Sequence, residues 1–393
     1  MKHPFTLFLL LACLSGAAQY QTIRKLNGSR ISPVEADSLV SRLMLKAKVT
    51  GMNIAVLNDN EVVYQKSFGY SEAAGQRALD TADVMYAASF SKAVFGYINM
   101  QLAERNLIDP DKPLYQYLKK SLAEYGPYEE LEKDPRWKQI TARMCLSHTT
   151  GMPNIWFLHP RTGVVDTTLS IRLYFDPGTK YAYSGEGLKL LQRVEEILLG
   201  KNLETLAEEM VFRPAGMIRS SYIWKDEFEK YSASGHDEQG QPSGKQRAGK
   251  PGAAGSMSTT VGDYARFIRF VLTGQGLTGM YYKEMITPQV RINSKVQFPT
   301  ITDDTTSRDR TVALSYGLGW GVLDTPYGRA FFKEGHHDYW RNYNINFPDS
   351  KTAIVIMSNS ANAESIFKEL LEGIIGDTFT VWEWENYIPL PGP

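Results

Sequence analysis

Apolar residues recur at the period of an amphipathic helix in several separate stretches of the chain. Val94, Ile98 and Leu102, for example, lie four residues apart and would share one helix face. Ser32 followed by Pro33 is typical of a helix start, with the serine as N-cap and the proline in the first turn. Helices are predicted on this basis at residues 33–49, 90–104, 187–199, 203–212 and 361–375.

Short runs of β-type residues lie towards both ends of the chain. They predict strands at residues 52–57, 62–68, 316–323, 330–333, 342–347 and 352–357. Asn58-Asp59-Asn60 is a strong turn signal that joins the first two strands as a hairpin. Because strands from both ends bracket a helical middle, the pattern predicts an α+β fold. We expect an antiparallel sheet flanked by helices, with an inserted all-helical subdomain.

The domain organisation follows from this pattern. The sheet domain is predicted to be discontinuous and to comprise residues 19–90 and 250–393. The helical subdomain is predicted at residues 91–249. Residues 238–255 are polar and rich in Gly and Gln, which favours a surface loop there.

The first 18 residues have the pattern of a secretory signal peptide. A basic start is followed by an apolar run at residues 5–14 and by small residues at 15–18, with cleavage expected before Gln19. Cys13 leaves lipid attachment as an alternative interpretation. No other stretch is long and apolar enough to cross a membrane. We therefore expect a secreted or periplasmic protein without an integral membrane span.

The charge composition narrows the range of partners. Lys+Arg and Asp+Glu each number 43, so the formal net charge is zero and gives no reason to expect nucleic acid as a partner. Cys13 lies in the predicted signal, which leaves Cys145 without an intramolecular disulfide partner. Cys145 lies in an apolar stretch and is expected to be a small buried side chain.

Ser89 and Lys92 are the first candidate catalytic pair. Three residues apart at a helix start, their side chains lie on one face. A lysine held in a buried helix should have a lowered pKa, so that it can accept the serine proton. Taken alone, the pair is equally typical of an N-cap serine followed by a surface lysine.

Tyr183 is the next candidate, presented by a turn just before an apolar helix. A tyrosine or tyrosinate placed between a nucleophile and its leaving group can transfer a proton. The chain contains 22 tyrosines, so an ordinary packed aromatic is the competing interpretation.

Gly335-His336-His337-Asp338 forms a third candidate segment. Two histidines and an aspartate suggest a metal site, but adjacent strand residues point to opposite faces. A shared ion would then need His148 or another distant ligand. No metal is expected on this reasoning.

These segments, in this order, resemble the serine β-lactamase-like family. The resemblance is specifically to the branch with penicillin-binding proteins, class C β-lactamases, D-aminopeptidases and related esterases. Residues 140–153 are similar to the family's LLSHTSGLP segment, and residues 254–264 to its GGLxSTAxDLA segment. Residues 103–110 resemble the stretch that closes the nucleophile helix. The matches run from about residue 50 to 360.

The resemblance implies that Ser89 forms an acyl-enzyme, with Lys92 and Tyr183 activating it and protonating the leaving group. His336 is expected to stand where the family has Lys or His. The implied oxyanion hole is the backbone N–H of Ser89 with that of Tyr339. The predicted substrate-binding residues are Asp338, Ser184 and Asn154. No metal or organic cofactor is implied.

Three departures from the family pattern bear on the substrate. Gly185 replaces the asparagine of the usual Tyr-x-Asn, His336 stands in place of a lysine, and Asp338 replaces a glycine. Without that lysine, and with an aspartate nearby, the site should repel the carboxylate of a penicillin or a D-Ala-D-Ala peptide. Efficient β-lactamase activity is therefore not expected.

The predicted function is a secreted serine hydrolase that cleaves an ester or amide of a small molecule or short peptide, as an esterase or D-amino-acid peptidase does. One alternative is a weak β-lactamase or D-Ala-D-Ala carboxypeptidase. The other is a non-catalytic protein that binds peptidoglycan fragments or another ligand. The sequence gives no prediction of oligomeric state.

Overall fold

The computed structural model describes residues 22–390. The predicted signal peptide and Cys13 lie outside these residues. Within them, the helices are α1 (Pro33–Ala47), α2 (Phe90–Glu104), α3 (Glu129–Glu132), α4 (Ala142–Leu146), α5 (Gly185–Leu199), α6 (Leu203–Ala207), α7 (Arg213–Ala215), α8 (Phe228–Tyr231), α9 (Val261–Leu272), α10 (Gly279–Met285) and α11 (Phe367–Ile374).

The strands occur in groups between these helices along the chain. They are β1 (Ile23–Arg24), β2 (Arg30–Ile31), β3 (Gly51–Asn58), β4 (Glu61–Glu72), β5 (Arg77–Ala78), β6 (Met85–Tyr86), β7 (Gly235–His236), β8 (Pro242–Gly244), β9 (Ser258–Thr259), β10 (Val290–Arg291), β11 (Ser315–Tyr316), β12 (Gly321–Thr325), β13 (Gly328–His337), β14 (Trp340–Phe347) and β15 (Thr352–Ser358).

A nine-stranded antiparallel sheet is the centre of the fold. Its strand order is β10-β11-β12-β13-β14-β15-β3-β4-β5, so strands from the two ends of the chain meet where β15 pairs with β3. In that pair Ile354 lies opposite Val56, and Ile356 lies opposite Ile54. The predicted α+β class, with a large antiparallel sheet flanked by helices, is confirmed.

Both faces of the sheet are buried, each in its own apolar core. On β3, Ile54 and Val56 pack in the core that contains α1 and α11, whereas Ala55 and Leu57 pack in the core that contains α2 and α9. This alternation follows from the two-residue period of a strand. The core that contains α2 and α9 continues into the helical region between β6 and β9. Helix α2 therefore lies between the sheet and that region.

The structure matches most predicted elements and refines several of them. Helix α1 has a complete capping box between Ser32 and Glu35, and α2 has the predicted bounds. The segment predicted as one strand at 316–323 forms β11 and β12, because residues 317–320 make a turn. The predicted loop at 238–255 contains β8, paired with β7. The division into two domains stays a prediction.

The helices and titratable groups of residues 22–390 lack two further features. No helix in this range is long and apolar enough to span a membrane. No group of three or more His, Cys, Asp or Glu side chains in the same range could hold a metal ion.

Glu195 is a buried acid in the helical region and provides a test of its packing. It lies on α5 close to Cys145 and is almost fully buried. Burial raises the pKa of Glu195 well above its ordinary value, and the neighbouring Glu196 adds to the rise. The buried side chain is therefore stable in its protonated form.

We expect Glu195→Gln to protect the protein against loss of stability with rising pH. A raised folded-state pKa contributes stability below the unfolded pKa, and that contribution is lost as pH rises towards the folded pKa. The free energy of unfolding of the wild type should therefore decrease, relative to that of the variant, by up to about 1.4 kcal/mol for each pH unit above the ordinary glutamate pKa. Urea unfolding of both proteins at pH 5 and pH 7 measures this effect. The same difference in free energy of unfolding between wild type and variant at both pH values would contradict the prediction.

Candidate active site

The start of α2 presents Ser89. Ala88 has φ of 47°, a left-handed conformation that costs energy for a residue with a Cβ. The turn is anchored by Ser91, whose hydroxyl donates to the Ala88 carbonyl at 2.6 Å and accepts the Met257 N–H at 3.0 Å. Ser91 is thus structural, and the half-buried Ser89 is left at the helix N-terminus.

Lys92 lies directly beside the candidate nucleophile. Its side chain is buried, and Nζ is 3.0 Å from Ser89 Oγ and 2.5 Å from the carbonyl oxygen of Ala254. Burial, reinforced by the charge of Lys333, lowers the pKa of Lys92 well below its ordinary value. A neutral amine can donate to Ala254 and still offer its lone pair to the Ser89 hydroxyl. The geometry suits a general base.

Tyr183 completes the cluster from the turn before α5. The centroid of its buried ring lies 4.8 Å from Lys92 Nζ, and its hydroxyl is 3.1 Å from Lys333 Nζ. Burial and the charge of Glu334 raise the pKa of Tyr183 well above its ordinary value, against the lowering effect of a hydrogen bond with Ser89. The side chain is therefore a phenol, which can donate a proton.

Lys333 is the site residue that the sequence reasoning missed. It lies on β13 with no exposed surface, and its Nζ is 2.6 Å from Glu334 Oε1. The available signal was a lysine at the end of an apolar strand run, two residues before Gly335. Gly335 itself lies against the chain that leads to Ser89, since an added Cβ would meet the Ala87 oxygen at 2.7 Å.

The structure does not bring the His336 side chain to this cluster. It is half exposed, and its Nδ1 lies 3.4 Å from Glu364. Strand alternation explains the difference, because the side chains of Lys333 and His337 lie on the other face of β13, the face on which position 335 also lies. The prediction that the site lacks a lysine was wrong, since Lys333 supplies one from three residues earlier.

The two histidines do lie on opposite faces, as expected from the strand period. The His337 ring meets Tyr86 edge-on, with centroids 5.3 Å apart, whereas His336 faces Glu364. Burial lowers the pKa of His337. His148 has a different environment: its buried Nδ1 accepts the Ser184 N–H at 3.1 Å, and its ring packs on Tyr183.

The hairpin register bears on the predicted oxyanion hole. His337 pairs with Trp340, so Asp338 and Tyr339 form a two-residue turn, and Tyr339 packs against Gly235. Beyond Phe332, β13 has no partner on its β12 side. In such a hairpin alternate residues direct their N–H groups away from the partner strand, which places the His336 N–H on this open edge.

The predicted substrate-binding residues have different environments. Ser184 is buried and caps α5: its hydroxyl accepts the Gly187 N–H at 2.9 Å and donates to the Pro153 carbonyl at 3.0 Å. Its hydroxyl is thus already used, which corrects the prediction that it contacts substrate. Asp338 is exposed in the β13–β14 turn, and its contact with substrate stays a prediction.

Asn154 lies where the missing side chain of position 185 would be. Its Oδ1 accepts the Gly185 N–H at 3.1 Å, and a Cβ at Gly185 would meet the Asn154 backbone oxygen at 2.5 Å. The chain therefore excludes a larger residue at 185 and puts the Asn154 amide beside it. Asn154 remains a predicted substrate contact on this geometry.

Comparison with known proteins gives consistent matches. A penicillin-binding protein 4* of Bacillus subtilis is 27% identical over 40% of this chain and 34% of its own length. Lovastatin esterase of Penicillium rubens is 27% identical over 40% of this chain and 46% of its own length. The chain thus spans a third to a half of these two curated relatives.

The solved structures and the family profile extend the match to most of the chain. The octameric penicillin-binding protein homologue of Pyrococcus abyssi superposes with a TM-score of 0.69 and 19% identity, over 84% of this chain and 74% of that one. At that identity the likeness shows the fold. The sequence profile described as Beta-lactamase matches residues 36–374. The chain therefore belongs to the Beta-lactamase family.

Proposed function

We propose that the protein is a serine hydrolase that cleaves an ester or amide through an acyl-enzyme on Ser89, in the manner of an esterase or a D-amino-acid peptidase. The observation that carries this proposal is the 3.0 Å contact between Ser89 Oγ and Nζ of the buried Lys92, whose pKa is lowered by burial. The names of the relatives, a penicillin-binding protein and an esterase, support the same chemistry.

In the first step the Ser89 oxygen attacks the substrate carbonyl while its proton passes to the lone pair of Lys92 Nζ. The carbonyl oxygen becomes an oxyanion as its π bond opens. The backbone N–H of Ser89, at the N-terminus of α2, and that of His336, on the open edge of β13, are the proposed donors to it. This assignment replaces Tyr339, whose position in the turn is less suited to the role.

In the second step the tetrahedral intermediate collapses and the bond to the leaving group breaks. The Tyr183 phenol gives its proton to the departing oxygen or nitrogen, and the Lys92 ammonium restores that proton. Lys333 stabilises the phenolate that forms transiently, because its Nζ is 3.1 Å from the Tyr183 oxygen. Water then attacks the acyl group with the same groups in reversed roles.

A fluorescent fluorophosphonate tests the proposal. It should form a covalent adduct with the wild type, and peptide mass spectrometry should locate the adduct on Ser89. Ser91→Ala is a control for general labelling of the segment, provided its thermal melt is unchanged. A wild type that is not labelled would favour the non-catalytic binding protein instead.

A second candidate, a weak β-lactamase or D-Ala-D-Ala carboxypeptidase, is favoured by one observation, the Lys333 ammonium beside Tyr183. A cation in that position can attract a substrate carboxylate. Nitrocefin turnover and a fluorescent penicillin adduct distinguish this candidate from the first. The absence of both would remove it.

We also propose that the protein is exported to the periplasm or the exterior. Support comes from the signal-peptide pattern of residues 1–18. N-terminal sequencing of protein recovered from the cell exterior should begin at Gln19. An N-terminal lipid on Cys13 would establish the alternative.

A further inference from the structure

We propose that Glu334 makes the site select against substrates that carry a carboxylate, so that its acyl donors are uncharged or amine-bearing esters and amides. This inference rests on the proposed hydrolase function and names the substrate class for it. It depends on which negative charge neutralises Lys333, the lysine that β13 contributes to the site.

Lys333 is held from two sides. It has no exposed surface, and its Nζ contacts the Tyr183 hydroxyl at 3.1 Å and Glu334 Oε1 at 2.6 Å. Gln297 donates to the same glutamate oxygen at 3.1 Å, which fixes the carboxylate in place. The ammonium therefore already has a carboxylate partner before any substrate arrives.

The ion pair leaves no net positive charge at this position. Burial alone would raise the pKa of Glu334, but the Lys333 charge and its hydrogen bond outweigh burial and lower it, so the side chain is ionised at neutral pH. Burial lowers the pKa of Lys333, and Glu334 opposes that fall. The pair is thus one positive and one negative charge, and their long-range fields cancel.

The other cations around the cluster are balanced as well. Lys189, whose charge reaches Lys92, is 2.9 Å from the buried Glu186. Arg341, at the end of the β13–β14 hairpin, is 3.3 Å from Glu364. Burial lowers the pKa of Lys92 well below its ordinary value, which disfavours its charged form. Near the turn, the exposed Asp338 adds a further negative charge.

A carboxylate entering this environment would be desolvated beside Glu334 without a free cation to receive it. Like charges at close range in a buried site repel strongly, and such repulsion is an effective means of rejecting a ligand. An ester, amide or amine at the same position meets no such repulsion. The site therefore discriminates by charge rather than by size.

Two thioesters of one acyl group, with mercaptoacetate or its methyl ester as leaving group, test this charge discrimination. For the wild type, kcat/KM should favour the methyl ester by about tenfold. Glu334→Gln keeps a side-chain oxygen for Lys333 and should abolish or reverse that preference. Glu372→Gln is the matched control, because it removes a surface carboxylate of α11 that pairs with Lys368, and it should leave the ratio unchanged.

The outcomes separate this inference from the proposed function. Hydrolysis of neither thioester, with no fluorophosphonate adduct, would overturn the hydrolase itself. Hydrolysis of both at equal rates by the wild type, or an unaltered ratio in Glu334→Gln, would overturn only the charge discrimination. If Glu334→Gln does not fold, Glu334→Thr replaces it, and the wild-type ratio is compared with the ratio of the uncatalysed hydrolysis rates of the two thioesters.

Discussion

Replacing Lys92 by methionine should lower kcat/KM for a p-nitrophenyl ester by about a thousandfold or more. Methionine has a similar length and is apolar, so it fills the buried space without a basic nitrogen to accept the Ser89 proton. The 3.0 Å contact between Lys92 Nζ and Ser89 Oγ is then lost, and the hydroxyl attacks without a base. Steady-state hydrolysis of the ester measures the effect.

The pH profile separates loss of the base from a general disturbance. Because burial lowers the pKa of Lys92 well below its ordinary value, the wild type should gain activity as Lys92 deprotonates, at a lower pH than an ordinary lysine would require. The Lys92→Met variant should lack that rise. Lys368→Met, which removes a surface lysine of α11, should retain both the activity and the profile.

Ser89→Ala should reduce activity to a similar level, and the double variant should be no worse than either single one. Residues that act as one unit are strongly non-additive, since removing either disables the same step. Additive losses would show that Lys92 acts independently of Ser89. That result would contradict the proposed proton transfer.

The Ser89, Lys92 and Tyr183 cluster could be predicted because each of its members lies at a local landmark. Ser89 and Lys92 are three residues apart at the start of a clearly periodic helix, and Tyr183 lies at the entrance of another. Their convergence depends on how β13, α2 and the turn before α5 pack together. The helical and strand periods carry no information about this convergence. The expectation that the three residues meet came from the resemblance to known sequences.

Lys333 could not be found in the same way, because its role depends on contacts between distant segments. Lys333 ends an apolar strand run, where a lysine is ordinarily a surface residue at a strand end. Only the packing of β13 shows that its ammonium lies beside a phenol 150 residues away. Asn154 was predicted as a substrate contact, but its position beside Gly185, 31 residues later in the chain, depends on the same kind of packing.

The position of His336 was mistaken for a related reason. A Gly-His segment before a strand matched the expected third motif, but the strand begins earlier and the face it offers is set by register. A shift of one residue in a strand moves a side chain to the opposite face. The backbone of His336 lies at the open edge, while its imidazole lies with Glu364.

Replacing either Lys333 or His336 of β13 by an apolar residue distinguishes the roles assigned to their side chains. Lys333→Met should lower kcat/KM by about a hundredfold, because the Tyr183 phenolate formed during leaving-group departure loses its cation. His336→Ala should change kcat/KM by less than about threefold, since the backbone N–H that it retains is the group proposed to contact the oxyanion. Ester hydrolysis by both purified variants measures the difference.

Lys333→Met also leaves Glu334 as a buried carboxylate without its partner, which destabilises a fold and complicates the comparison. The double variant Lys333→Met with Glu334→Gln removes that unpaired charge, and it should recover thermal stability without recovering activity. Recovery of both would show that Lys333 acts only by neutralising Glu334. The opposite result would be a large loss of activity in His336→Ala with normal activity in Lys333→Met. Because the two side chains lie on opposite faces of one strand, that result would place the imidazole in the site and contradict the assignment of Lys333.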